Sequence, residues 1–126
     1  MTRPALLLLA ALLAGCASSP RGSADTLHLA ASAQTTGRLV VSAHEETTIR
    51  LANRGPGRAD FAVRMGNGVE LQSGALDTAS VHFTSADRVV IVVALQVRAD
   101  APTAVECAVD GAGGARFEWD GAGAGR

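Results

Sequence analysis

Hydrophobic and polar residues alternate along most of the chain. Leu27 and Leu29 alternate with His28 and Ala30, Leu39 and Val41 with Arg38 and Ser42, and Ile49 and Leu51 with Thr48 and Arg50. The same rhythm continues in Phe61/Val63/Met65, Val69/Leu71, Val81/Phe83, Val105/Cys107/Val109 and Phe117/Trp119. Period-two patterning turns one apolar face inward and one polar face outward. No stretch carries an apolar stripe with a period of about 3.6. Some seven to nine short strands, with turn residues about every 8–12 positions, predict an all-β fold: a single antiparallel β-sandwich.

Parity suggests two hairpins, because directly opposed residues of an antiparallel pair share a face. Opposing Met65 and Val69 leaves Gly66-Asn67-Gly68 as a three-residue loop and sets Arg64 against Glu70. Opposing Val109 and Phe117 leaves residues 111–115 as the loop and sets Asp110 against Arg116.

Arg88–Leu95 differs, being apolar on both faces and rich in β-branched residues, as a central strand is. With Val89, Ile91, Val93 and Leu95 inward, Val90, Val92 and Ala94 point outward. That outer row is either covered by a loop or forms an apolar patch for a partner. The loop 53–60 is built around Gly55-Pro56-Gly57 and flanked by Arg54 and Arg58. It reads as a sandwich corner, with anion contact as its functional alternative. Leu51-Ala52-Asn53-Arg54-Gly55 resembles the "L-x-N-x-G" strand end of many immunoglobulin-like domains. The resemblance implies an immunoglobulin-like sandwich and carries over no functional residue.

The first residues read differently. Arg3 precedes an apolar run from Ala5 to Ala17, shorter than the roughly twenty residues a spanning helix needs. This is an export signal. Leu13-Ala14-Gly15-Cys16 resembles the lipobox of bacterial lipoproteins at all four positions. The resemblance implies cleavage between Gly15 and Cys16, with a diacylglycerol thioether and an N-acyl chain on Cys16. Two or more acyl chains hold a protein stably at a membrane. The alternative is an ordinary secretory signal cut after Ala17. Ala17 in place of Asp favours the outer membrane, by analogy with enterobacterial sorting. The expected organisation is signal peptide 1–15, lipidated flexible tether 16–25, sandwich 26–120 and a disordered Gly/Ala tail 121–126.

Composition narrows the chemistry. The net charge is −1 and aromatics are 3%, so neither a basic field nor stacking platforms exist for nucleic acid. All eleven cations are Arg, which removes Schiff-base and P-loop lysines. Cys16 and Cys107 are the two cysteines. With Cys16 lipidated, Cys107 stands alone, and its inward phase makes it a core thiol; with Cys16 unmodified, a Cys16–Cys107 disulfide stays open. His28 and His82 fall on outward faces and His44 in a turn, with no spacing that holds two on one face for a metal. Glu45 and Glu46 fall in a turn, and Glu106 and Glu118 on the surface. No nucleophile elbow is present. Trp119 phases with Phe117 as core. The expectation is a non-enzymatic, lipid-anchored envelope protein, more at home at the outer membrane, whose sandwich binds or scaffolds an envelope protein partner. It expects no cofactor beyond the lipid on Cys16, no nucleic acid and no evident small-molecule substrate. The alternative is a small periplasm-facing metal-binding protein or enzyme using surface His and Glu.

Overall fold

The alternating segments form nine strands in the computed structural model, which describes residues 22–120. They are β1 (Gly22–Leu29), β2 (Gln34–Val41), β3 (Thr47–Asn53), β4 (Ala59–Met65), β5 (Glu70–Ala75), β6 (Thr78–Phe83), β7 (Val89–Val97), β8 (Thr103–Gly111) and β9 (Glu118–Asp120). The inward residues are those the alternation marks. Leu27, Leu39, Ile49, Val63, Ile91, Val93 and Val105 are fully buried, with Leu29, Leu51, Leu95, Cys107 and Val109 nearly so. Burying one such aliphatic side chain contributes about 1.5–3 kcal/mol, so the two inner faces supply the main driving force. Thr35, Thr47 and Thr103 complete the buried set at strand ends.

The strands make two antiparallel sheets ordered β1-β8-β3-β6 and β5-β4-β7-β2-β9. The antiparallel sandwich is therefore as the sequence implies. Within that class, the strand order is the paired Greek keys of a jelly roll, an order that the short L-x-N-x-G likeness does not fix. Successive strands mostly hop between sheets, with β4 and β5 the hairpin exception. Five residues at a strand end set a corner, not the sheet the chain joins next. Asn53 does build that corner. Its Oδ1 accepts from Thr103 Oγ1 at 2.5 Å and from the Gly55 N–H at 3.4 Å, while Nδ2 donates to Gly57 O at 2.9 Å.

The β4–β5 hairpin turns where parity places it. Met65 N–H donates to Val69 O at 2.8 Å, Gly68 takes φ +97°, and Arg64 opposes Glu70. Past the turn a bulge shifts the register, so Val63 faces Gln72 and Phe61 faces Gly74. Edge strand β5 then has no apolar side chain on the core side. Val69 and Leu71, expected inward, are 52% and 37% exposed. The core gains Leu76 instead, just after β5.

The second hairpin does not form. Gly111, Ala112, Gly113 and Gly114 all take positive φ, lifting the chain off the first sheet. β9 then pairs with β2 in the other sheet, Gly37 opposite Trp119. Asp110 pairs with Arg50, and Arg116 with Asp25 at 3.5 Å. Phe117 and Trp119 are buried all the same. β1 pairs with β8 from Gly22 onward, so strand structure begins inside the stretch 16–25 expected as tether. The signal peptide, the lipobox with Gly15 and Cys16, and the tail 121–126 lie outside the described residues.

Candidate binding face on the four-stranded sheet

β3 and β8 lie side by side in the four-stranded sheet, which brings their polar faces together. Arg50 sits opposite Ala108, Ala52 opposite Glu106, and on the other side Arg50 opposes Ser80 and Ala52 opposes Thr78. Small residues at Ala52, Ser80 and Ala108 leave a shallow groove of about 580 Å³ between longer side chains. Arg50, Arg54, Glu106 and Thr78 also line it. Arg54 Nε donates to Glu106 Oε1 at 3.0 Å, and Arg50 is paired to Asp110. These partners are half or more exposed, so each pair adds little to stability. Their consequence is geometric: guanidinium and carboxylate groups alternate along the outer face of the sheet.

Arg54 and Arg58 both lie in the 53–60 corner but do not act as one bare cationic site. Arg54 turns to Glu106 over the groove, whereas Arg58 faces Asp100 at 3.7 Å. The corner is pinned to 102–104, with Arg54 N–H donating to Ala104 O at 2.7 Å and Gly57 N–H to Pro102 O at 3.0 Å. Beside it, Arg98 Nε and Nη2 donate to the two oxygens of Asp60 at 2.9 and 3.0 Å. That hydrogen-bonded guanidinium holds the Asp60 carboxyl below its ordinary value of 3.8, against a smaller opposing effect of desolvation.

Val90, Val92 and Ala94 face outward from β7 and are half-buried. Their row continues into Ala62 on β4 and exposed Val40 on β2, with Arg64 and Arg38 on either side of Val92. His28, His44 and His82 are exposed and stand on different elements. His82 Nδ1 hydrogen-bonds Thr48 Oγ1 at 2.8 Å. Among the described residues, no three His, Cys, Asp or Glu side chains gather as a metal cluster. Cys107 is a buried free thiol, and desolvation together with the nearby Asp25 charge pushes its pKa up to about 12. Trp119 packs against Phe117 with ring centroids 5.2 Å apart, as core rather than as a sugar platform.

Alternation alone places Arg50 and Ala108 on ordinary wet faces and does not reveal the groove. A signal was there: alanines at 52 and 108 on the polar faces of two strands, each flanked by charge. Which strands would be neighbours was the missing fact.

The sequence matches no family model and no curated protein. The fold is similar to several solved structures. Procruciferin, an 11S globulin from Brassica napus, aligns with a TM-score of 0.51 at 15% identity over 78% of this chain, which spans 22% of the globulin. PliG from Aeromonas hydrophila, a periplasmic inhibitor of g-type lysozyme, aligns at 0.51 and 14% identity, over 72% of this chain and 86% of PliG. The mitogen derived from Yersinia pseudotuberculosis aligns at 0.50 and 6% identity, over 70% and 85% respectively. At these identities the likeness is one of fold: a β-sandwich shared by proteins of unrelated roles.

Proposed function

We propose that the chain is a lipid-anchored, non-catalytic binding protein of the bacterial envelope that holds a protein partner on the outer face of its four-stranded sheet. One observation carries the contact surface: the groove over Ala52, Ser80 and Ala108, bounded by the Arg50–Asp110 and Arg54–Glu106 pairs. The backbone of the paired strands β3 and β8 is already ordered, so binding there carries no loop-ordering cost. PliG, of similar fold, is a periplasmic inhibitor, so a small sandwich suffices for non-catalytic binding in that protein. The Leu13-Ala14-Gly15-Cys16 motif supports attachment through acyl chains on Cys16, and Ala17 in place of Asp supports sorting to the outer membrane.

Two measurements test this. Metabolic labelling with a palmitate analogue is expected to mark the wild-type chain and not Cys16→Ala; label on the variant, or none on the wild type, refutes the anchor. A photo-crosslinking residue at exposed Ser80 in the full-length protein is expected to give a discrete adduct that disappears with Arg54→Glu. The same residue at exposed Ser73, on edge strand β5 of the other sheet, should give none. An adduct pattern equal at both positions, or no adduct at Ser80, refutes the groove as contact surface.

A further inference from the structure

The antiparallel register fixes which end of the sandwich carries the chain's N-terminal side. Gly22 opposes Asp110 on β8, Asp110 opposes Thr48 on β3, and Thr48 opposes His82 on β6. In the other sheet, Val41 opposes Val89 at the same end, and the His44 N–H donates to Ser85 O at 2.7 Å across it. Loops 42–46, 66–68, 84–88 and 111–114 therefore surround the start of β1. Loops 30–33, 53–58 and 98–102 lie at the opposite end, along with the Arg98–Asp60 and Arg58–Asp100 pairs.

We infer that the domain stands end-on to the bilayer, with loops 42–46, 66–68, 84–88 and 111–114 facing the lipid headgroups and the Arg54, Arg58 and Arg98 end facing away. The inference rests on lipidation of Cys16. Two lengths decide it. The step from Cys16 to Gly22 spans at most ~22 Å, whatever path it takes. β8 is nine residues long and carries the chain ~27 Å from the Gly22 end to the far end. An inverted domain would hold Gly22 farther from the surface than the spacer reaches. Lying flat on the five-stranded sheet gains no cationic attraction, since Arg38 is paired with Asp120 at 3.5 Å and Arg64 opposes Glu70. At the membrane-facing end Glu45, Glu46 and Asp87 outnumber Arg88, which discourages close contact with anionic headgroups. Screening confines that repulsion to about 8 Å, inside the spacer's reach.

End-on attachment presents the groove sideways and outward, with its Arg54 end uppermost. The test uses full-length lipidated protein in phosphatidylethanolamine–phosphatidylglycerol vesicles whose headgroups carry an acceptor dye. A donor is placed at Ala86→Cys in one sample and at Ala99→Cys in another, both exposed positions. Energy transfer from position 86 is expected to exceed that from position 99 by about twofold or more, given a ~27 Å separation along β7. Inserting twelve Gly/Ser residues after Ser19 is expected to shrink the difference. Equal or reversed transfer in palmitate-labelled protein overturns the orientation alone. Absence of the palmitate label from wild type overturns the anchor, and the orientation with it.

Discussion

Gly37 lies directly under the indole of Trp119: a Cβ at position 37 would stand 2.6 Å from Cε3 and 2.7 Å from Cζ3 of the ring. The two residues are paired across β2 and β9. Phe117 and Trp119 are buried at this edge, and Arg116 just before them reaches Asp25 on β1 in the other sheet at 3.5 Å. A glycine normally weakens a strand by about 0.5–1 kcal/mol relative to alanine. Here it is the residue that lets the ring lie flat. Gly37→Ala is therefore expected to destabilise the fold by about 1–3 kcal/mol through overpacking. In a Trp119→Ala background the same substitution is expected to be neutral or stabilising. Urea midpoints for the four proteins of this cycle measure the sign change.

Leu71 and Leu39 make a second contrast. Both carry the alternating pattern, yet the bulge in the β4–β5 pairing leaves Leu71 37% exposed while Leu39 is fully buried. Leu39→Ala is expected to cost about 2–5 kcal/mol, the range for a buried leucine. Leu71→Ala is expected to stay within about 0.5 kcal/mol, as surface changes do. Equal losses in chemical denaturation would place Leu71 in the core.

That contrast marks what the sequence made legible. Which residues face inward followed from parity in almost every strand, because burial selects one face regardless of which strand lies alongside. Strand neighbours were a different matter. Arg64–Glu70 is legible because only five residues separate the two, with the three-residue loop 66–68 at their centre, so local turn chemistry fixes the contact. The expected Asp110–Arg116 pair does not form, because charge complementarity alone does not choose among partners and Arg50 and Asp25 offer equally good ones. The groove escaped for the same reason: Ala52 and Ala108 meet only through the β3–β8 pairing, a long-range contact between strands far apart in sequence.

The Arg98–Asp60 pair predicts an acid dependence. Hydrogen bonds from Arg98 lower the Asp60 pKa in the folded state, so the folded chain holds that proton less readily than the unfolded one. The stabilisation is fully present above the ordinary value of 3.8 and fades as pH falls through the lower folded value. Asp60→Asn is expected to lower the urea midpoint slightly at neutral pH and to leave it unchanged well below pH 3.8. Both partners are substantially exposed, so added salt should narrow the gap between wild type and variant.

Cys107 supplies a last prediction, on reactivity. Its thiol is buried between the sheets and its pKa stands at about 12, with desolvation the larger cause and the Asp25 charge the smaller. The thiolate is the reactive form. At about pH 8 an unfolded cysteine, with a pKa near 8.5, is substantially ionised, whereas folded Cys107 is not. Native protein is therefore expected to resist aromatic disulfide reagents and to react only as urea unfolds it, with the rate tracking the unfolded fraction. Fast labelling without denaturant would mean that the β8 face opens locally. Cys107→Ser keeps the volume but buries a hydroxyl between its cross-strand partners Leu51 and Asp25, which is expected to cost about 1–3 kcal/mol unless the Asp25 carboxylate or a backbone carbonyl accepts its proton.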